Sequence, residues 1–356
     1  MKNRSLPIHH KNRRMASLKV LIIGGTGLIS TAVTKELLER GEDVTLFNRG
    51  RSEAPFHLKL KVIHGDRYNH REFESKMLEA GTFDCVIDMI CYSPEDARSL
   101  VRAFAGRTGH LIFCSTVDVY AKPASRYPIT EAEPHRPPEW DYAKNKEACE
   151  EILKEAEGQG SFPLTILRPA FTYGEGRGLV HSFGGNNHYF DRLLKGKPIV
   201  VHGDGQSLWS SCHRDDVARG FVNAVCNPKA FGKSYHLTGE EWMTWNQYHQ
   251  TVAQAIGAPP PKLVHIPTDL LAKAAKRAHI CAINFQFNNI FDNTAARTDL
   301  GFQYTIPFAE GVRRIFGWLT KHGSIPNSDE DPYDDRVIDA WQRLGSKMLE
   351  ELAGLD

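Results

Sequence analysis

The sequence predicts an α/β protein, a doubly wound parallel sheet joined to a smaller α+β lobe. Three observations carry that expectation. Short apolar, mostly β-branched runs alternate with helix-period segments from Leu18 to about Tyr173. A glycine-rich turn, Gly24-Gly25-Thr26-Gly27-Leu28-Ile29-Ser30, follows the first of those runs. After Arg168-Pro169 the texture changes to polar, glycine-rich stretches mixed with short helical patterns. Strand–helix alternation is the pattern of βαβ units, whose helices cover both faces of a parallel sheet.

Val20-Leu21-Ile22-Ile23 reads as the first, fully buried strand, and Thr31 to Arg40 as the helix after the turn. Further strands are expected at Val44–Phe47, Lys61–Ile63, Asp84–Asp88, His110–Cys114 and Leu164–Leu167. Helical segments near 69–80, 94–105 and 140–157 separate them. Gly174 to Asn187 reads as a substrate loop or lid. A short helix at Tyr189–Lys195 and a strand at Pro198–Val201 come next. Asp215–Cys226 carries apolar residues at helical spacing, and a strand at Ser234–Leu237 and a helix at Trp245–Ile256 follow. Pro259-Pro260-Pro261 breaks the chain before a helix at Thr268–Ala278 and an irregular aromatic stretch to Phe291. Pro307–Lys321 is amphipathic. An acidic, exposed connector over Ser328–Asp335 leads to a terminal helix at about Val337–Leu352.

These features divide the chain as follows. Residues 1–17 are a polar, basic extension expected to be disordered. Residues 18–175, with an interleaved segment at about 206–238, form the sheet domain. Residues 176–205 and 239–325 form the smaller lobe, and 326–356 a tail and helix.

Composition removes several classes of function. The chain has 356 residues and a net charge of +1, with both signs spread throughout, so no global charge points to nucleic acid or an anionic membrane. No apolar run reaches the roughly 18–20 residues that span a bilayer. Seven scattered cysteines without a C-x-x-C pair suit reduced thiols and a cytoplasmic location. His181, His188, His202 and His213 match no standard metal-ligand spacing, so no metal is expected.

Three groups of residues carry chemistry. In the glycine turn, Gly24 and Gly27 permit a sharp bend and close approach of a ligand. The helix start behind them, at Leu28 and Ile29, offers free N–H groups to a pyrophosphate. Its spacing is G-x-x-G-x-x-S, and the turn read alone is equally a structural feature. Tyr142 and Lys146, in Asp141-Tyr142-Ala143-Lys144-Asn145-Lys146, share one helix face. An ammonium there would lower the tyrosine pKa from its usual value near 10 and make it a base for a substrate hydroxyl. A solvated helix face is the plain alternative. Ser115-Thr116-Val117-Asp118 lies just past the fifth strand, where ligands of such sheets bind.

Taken together, these motifs resemble the extended short-chain dehydrogenases/reductases of the NAD-dependent epimerase/dehydratase family. The ordered matches are GGTGLIS at 24–30, Gly65-Asp66, STVDVY at 115–120, YAKNK at 142–146, RPAFTYG at 168–174, GDG at 203–205 and HRDDVA at 213–218. They cover roughly residues 18–320. The resemblance implies a Rossmann-type domain, a substrate lobe and a Ser/Thr–Tyr–Lys catalytic group. Thr116 then orients the substrate oxygen, with Ser115 as the fallback. Tyr142 is the acid/base and Lys146 contacts the nicotinamide ribose. Asp66 lies beside the adenine. The second strand ends in Asn48-Arg49-Gly50-Arg51 instead of an acid, which tilts the cofactor from NAD towards NADP.

The chain departs from the family pattern in places. Phe171 stands where sugar-nucleotide members often carry Asn, and Trp209 where they often carry Arg. No second arginine is evident in Ile280–Phe291. Phe171, Trp209 and His213 become the candidate substrate contacts, with Trp242 and Trp245 either further contacts or core. The elimination pair of dehydratases is reduced to Val117-Asp118, so Asp118 is at most a lone acid/base residue. The reading is an NAD(P)-dependent oxidoreductase or epimerase acting on a secondary alcohol of a sugar, sugar nucleotide or polyol. Its partners are a small carbohydrate-like substrate and a second copy of the chain, with neither membrane nor nucleic acid. The alternative is a catalytically inactive RNA-binding or dinucleotide-sensing member of the superfamily, since GGTG followed by TLFNRG also resembles the chloroplast RNA-binding branch.

Overall fold

The computed structural model describes residues 17–50 and 60–355. The N-terminal extension through residue 16 and Arg51 lie outside them. The first half runs β1 (Lys19–Ile23), α1 (Leu28–Glu39), β2 (Asp43–Asn48), β3 (Lys61–His64), α2 (His70–Ala80), β4 (Cys85–Asp88), α3 (Pro94–Phe104), β5 (Leu111–Cys114), α4 (Asp141–Gly158) and β6 (Leu164–Pro169). The second half runs β7 (Phe171–Tyr173), α5 (His188–Leu194), β8 (Ile199–His202), β9 (Leu208–Trp209), β10 (Ser211–His213), α6 (Arg214–Ala224), β11 (Lys233–Leu237), β12 (Met243–Thr244), α7 (Trp245–Ala255), β13 (Leu263–Ile266), α8 (Thr268–Ala274), α9 (Thr294–Leu300), α10 (Phe308–Lys321) and α11 (Tyr333–Leu352).

Seven strands form one sheet in the order β11-β6-β5-β4-β1-β2-β3. Each pairing in it is parallel. The period-2 alternation of β1 sends Val20 and Ile22 into one apolar layer, shared with Val33 and Leu37 of α1 and Val217 and Phe221 of α6. Leu21 and Ile23 enter the opposite layer, with Phe73 of α2, Leu100 of α3 and Leu153 of α4. This is why the early strands read as unbroken apolar runs. Strand order reverses between β1 and β4, which opens a crevice at their carboxyl ends.

A third apolar core lies away from the sheet. Phe190 of α5, Val200 of β8, Trp245 and Val252 of α7 and Val312 and Ile315 of α10 meet there. Short strand pairs trim it: β7 with β10, β9 with β12 and β8 with β13. Most of these strands have only two to four residues, too few to show a period, and β7, β9, β10, β12 and β13 fall where no strand was expected. The helix expected to Ala278 ends at Ala274 and passes through a short 3-10 turn into a π-type turn at Cys281–Phe285.

The acidic segment before α11 is more than an exposed connector. Lys195 and Lys197 both pair with Asp329, and Arg277 binds Asp331 at 2.8 Å. Asp191 accepts the Ser328 N–H at 2.7 Å. These contacts tether the segment, and α11 begins at Tyr333, four residues earlier than the apolar pattern indicates. Among the described residues no helix is long and apolar enough to cross a membrane.

Candidate active site

The glycine turn sits at the carboxyl end of β1. Gly24 has φ +84°, and a Cβ there would lie 2.6 Å from Ile90. Its N–H donates to Phe47 O at 2.9 Å, which ties the turn to β2. Gly27 is the N-cap of α1, so the helix starts at Leu28, three residues earlier than expected. Ser30 explains the unusual spacing. Its buried hydroxyl donates to Gly24 O at 2.6 Å and accepts the Gly27 N–H at 2.8 Å. The side chain that replaces a third glycine therefore closes the turn from within.

Two cavities meet at this turn. The smaller, about 330 Å³, is lined by Asn48, Arg49, Gly50, Asp66 and Arg67. The larger, about 1010 Å³, is lined by Leu28, Ile29, Thr116, Asp118, Tyr142 and Lys146. Gly24, Gly27, Ile90 and Tyr92 border both, so they form one continuous groove. An elongated ligand with a phosphate-bearing middle fits it. Each end carries polar side chains, and the centre is a helix N-terminus approached over glycines. Asn48 accepts the Gly50 N–H at 3.0 Å, and Asp66 accepts the Tyr68 N–H at 3.1 Å. Both side chains thus shape the loops that carry them as well as lining the groove.

Arg67 was not evident from sequence. Its guanidinium is buried, stacks 4.1 Å from the Phe73 ring centroid, donates to Asp96 O at 2.6 Å and lies 3.4 Å from Asp88. Its Nε and Nη1 have no partner among the described residues. Burial pushes the Asp88 carboxyl up, and the Arg67 charge opposes that shift.

At the far end, Tyr142 and Lys146 rise from the first turns of α4, and Thr116 leaves the end of β5. Tyr142 and Thr116 both line this end of the groove. Lys146 Nζ donates to Cys91 O at 2.9 Å and Cys114 O at 2.7 Å, and lies 5.9 Å from the Tyr142 ring centroid. The expectation that Lys146 lowers the tyrosine pKa is not met. Burial, followed by Cys114, Asp118 and Tyr92, raises the Tyr142 hydroxyl above its ordinary value, and the nearby Thr116 hydroxyl opposes them. The ammonium is committed to two carbonyls, so the resting tyrosine is a phenol.

Several candidates take other places. Ser115 donates to Glu150 at 2.6 Å, part of a buried network in which Arg168 binds Glu150 at 2.8 and 2.5 Å. Ser115 borders the groove, but its hydroxyl proton is given to Glu150. His213 is a correction. It is fully buried, does not line the groove and caps its own helix by accepting the Asp215 N–H at 3.2 Å. Its motif position reflects the start of α6. Trp245 is core, and Trp242 is 43% exposed outside the groove. Phe171 and Trp209 do line the groove, their ring centroids 6.1 Å apart. Trp209 also stacks on Trp245 and Phe285 at 4.9 Å.

Other lining residues were not singled out from the sequence. Tyr92 stands 6.3 Å from Tyr142, ring to ring, and Trp140 stands 4.9 Å from it. Arg177, Lys276 and Arg277 bring positive charge to the groove from outside the Ile280–Phe291 window. Lys122, Asn284 and Asn289 form a polar cluster around Asp118. Among the described residues no group of three or more His, Cys, Asp or Glu side chains could hold a metal ion.

Sheet order, glycine turn and groove together define a dinucleotide-binding α/β protein of the Rossmann type. The family model for the NAD dependent epimerase/dehydratase family matches residues 20–237, and the chain belongs to that family. It is 27% identical over 276 residues to 2′-dehydrokanamycin reductase of Streptomyces kanamyceticus, covering 78% of this chain and 77% of that one. It is 29% identical over 335 residues to the chloroplast stem-loop binding protein of 41 kDa b of Arabidopsis thaliana, covering 90% of this chain and 84% of that one. Among solved structures, an epimerase from Methanothermobacter thermautotrophicus aligns with a TM-score of 0.71 at 16% identity, over 86% of this chain and 93% of that one.

Proposed function

We propose that this protein is an NAD(P)-dependent oxidoreductase or epimerase that acts on a secondary alcohol, or the matching ketone, of a sugar, sugar nucleotide or related polyol. One observation carries the reading. Thr116, Tyr142 and Lys146 converge with the glycine turn on one groove, at the end opposite Asn48, Arg49 and Asp66. Gly24, Gly27, Leu28 and Ile29 would cradle the pyrophosphate, and Lys146 would hold the nicotinamide ribose. A bound nicotinamide supplies or accepts the hydride. Thr116 and Tyr142 would position the substrate oxygen between them. As a phenol, Tyr142 would donate a proton to a ketone oxygen in reduction and take it back from the alcohol in the reverse direction. The similarity to a reductase of a dehydro-aminoglycoside supports a polyhydroxylated substrate.

The test is oxidation of NADH and NADPH against a panel of keto-sugars and keto-cyclitols, followed at 340 nm. Turnover is expected with at least one ketone, and Tyr142→Phe should lower kcat/KM by about 10²-fold or more. Unchanged turnover in Tyr142→Phe would remove the mechanism. With Asn48 and Arg49 at the adenosine end, NADPH should bind more tightly than NADH, and Arg49→Ala should narrow that gap.

The similarity to a stem-loop binding protein motivates a second reading, a nucleic-acid-binding protein without turnover. The near-neutral charge and the retained Thr116, Tyr142 and Lys146 weigh against it. Salt-dependent binding of an RNA stem-loop, with no ketone turned over, would favour it.

A further inference from the structure

Asp118 stands beside Thr116 on the wall of the groove, and its two carboxylate oxygens are held unequally. Oδ1 accepts from Asn284 Nδ2 at 2.9 Å and lies 3.3 Å from Lys122 Nζ. Lys122 Nζ also donates to Asn284 Oδ1 at 2.7 Å and to Asn289 Oδ1. Asn289 is fixed in turn, since its Nδ2 donates to Phe287 O at 2.9 Å and Asn284 O at 3.2 Å. The three N–H groups of the ammonium thus meet three acceptors, and the Lys122 side chain is only 6% exposed. Among the described residues Oδ2 has a single hydrogen bond, from the Thr116 hydroxyl at 3.2 Å. A carboxylate oxygen can accept two. Asp118 borders the groove, so this spare acceptor is open to a ligand there.

The surroundings define what could fill it. Phe171, Trp209, Phe285 and Phe291 make much of the wall around the cluster apolar. The Asp118 side chain is 15% exposed, and an acceptor that a ligand covers in such a place calls for a donor. Lys122 already neutralises the carboxylate, so a neutral donor suits it better than a cation. Asp118 Oδ2 and Thr116 Oγ1 are hydrogen-bonded neighbours. Groups held by these two atoms must themselves be neighbours on the ligand, as on adjacent carbons.

We infer that Asp118, braced by Lys122, Asn284 and Asn289, accepts a hydrogen bond from a substrate hydroxyl on the carbon next to the reacting one. The site therefore takes vicinal diols and α-hydroxy ketones in preference to isolated alcohols and ketones. The inference rests on the reading that Thr116 and Tyr142 hold the reacting oxygen. Lys122 and the two asparagines are positioning residues in this scheme, since they act through Asp118. The π-type turn that carries Asn284 belongs to the C-terminal half of the chain, so recognition of the neighbouring hydroxyl depends on packing between distant segments. A ligand lacking that hydroxyl would leave the acceptor dry and unpaired, the situation in which sites discriminate most strongly.

Binding separates this inference from the proposed activity. The full chain, saturated with NADP⁺ or NAD⁺, is titrated with trans-cyclohexane-1,2-diol and with cyclohexanol, and saturation-transfer NMR reads the affinities. Turnover of the same pair is followed separately at 340 nm and reports on the oxidoreductase reading alone. Wild type should prefer the diol by tenfold or more. Asp118→Asn should bring the ratio near one, and Asn284→Ala, which keeps the carboxylate and removes part of its brace, should reduce it partly. Thr116→Val should weaken both ligands and leave the ratio standing. Equal affinities in wild type, failure of the diol to bind, or a preference that survives both Asp118→Asn and Asn284→Ala would overturn the inference.

Discussion

Two adjacent hydroxyls show how finely the chain partitions structure from chemistry. Ser115 and Thr116 follow one another at the end of β5, yet their oxygens engage different partners. Ser115 serves the Glu150–Arg168 pair, which continues from Arg168 to the Tyr120 hydroxyl at 2.7 Å and from there to His236 at 2.7 Å. Burial pushes the Glu150 carboxyl up, but the Arg168 hydrogen bond and charge overcome it and hold the value at about 2. Glu150 is therefore ionised at any ordinary pH and needs its donors. Ser115→Ala removes one donor to a buried carboxylate, which costs about 1.5–3 kcal/mol. Urea unfolding should show that loss, with ketone turnover reduced far less than in Thr116→Val. Thr116→Val loses bonds only to the half-buried Asp118, so it should cost less stability than Ser115→Ala while lowering turnover at least tenfold. A Ser115→Ala protein that is as stable as wild type and inactive would reverse the assignment of the two hydroxyls.

The glycine turn is a unit of β1, three closely packed glycines and the first turn of α1, and Ser30 is its internal tie. Ser30→Ala removes two hydrogen bonds that hold Gly24 against Gly27, without adding bulk. It should weaken dinucleotide binding several-fold and leave the fold intact, as read by fluorescence titration with NADH or NADPH. Gly24→Ala should be more severe. Its φ of +84° disfavours a side chain and the added Cβ would collide with Ile90, so both stability and cofactor binding should fall. Binding by Gly24→Ala equal to wild type would show that the turn is not the cradle. This unit was legible in the sequence because strand, turn and helix are contiguous. Tyr142 and Lys146 were legible for the same reason, one helical turn setting their spacing. Asn284 and Asn289 were not, because they come from 166 and 167 positions beyond Asp118 and Lys122, and Lys122, four residues after Asp118, gains its part in the cluster only through them. The short strands β9 and β12 were hidden too, since two residues carry no period and only their mutual pairing, Met243 with Trp209 and Thr244 with Leu208, makes them strands. His213 misled because a helix-capping histidine and a ligand-binding histidine look alike in one dimension.

Across the molecule, buried histidines link the two halves to acid. His181, His202 and His249 lie in the core around α5, β8 and α7, and the Nε2 of each lacks a hydrogen-bond partner among the described residues. His249 Nδ1 meets the Tyr189 hydroxyl at 2.7 Å, and His181 stacks on the Tyr189 ring at 5.0 Å. In the sheet half, His110 is wedged against Thr165 at 2.9 Å and His236 against Tyr120. Burial depresses them all: His110, His181 and His202 to about 4, His236 to about 3, and His249 well below its ordinary value. The unfolded chain takes up these protons near pH 6.5. Between that pH and about 4 it binds more protons than the native protein, so native stability rises with pH across this window and levels off above it. Each histidine can withdraw on the order of 3 kcal/mol at most as pH falls through the window. Urea midpoints measured by tryptophan fluorescence should hold steady from pH 8 to 7 and then fall steeply from pH 6.5 to 4.5. Ordinary surface carboxylates titrate near pH 4, at the bottom edge of that range. Replacing His181 with Asn should flatten the slope by about one proton. A midpoint that stays constant down to pH 5 would mean that these imidazoles already find partners in the folded protein, ordered water among them.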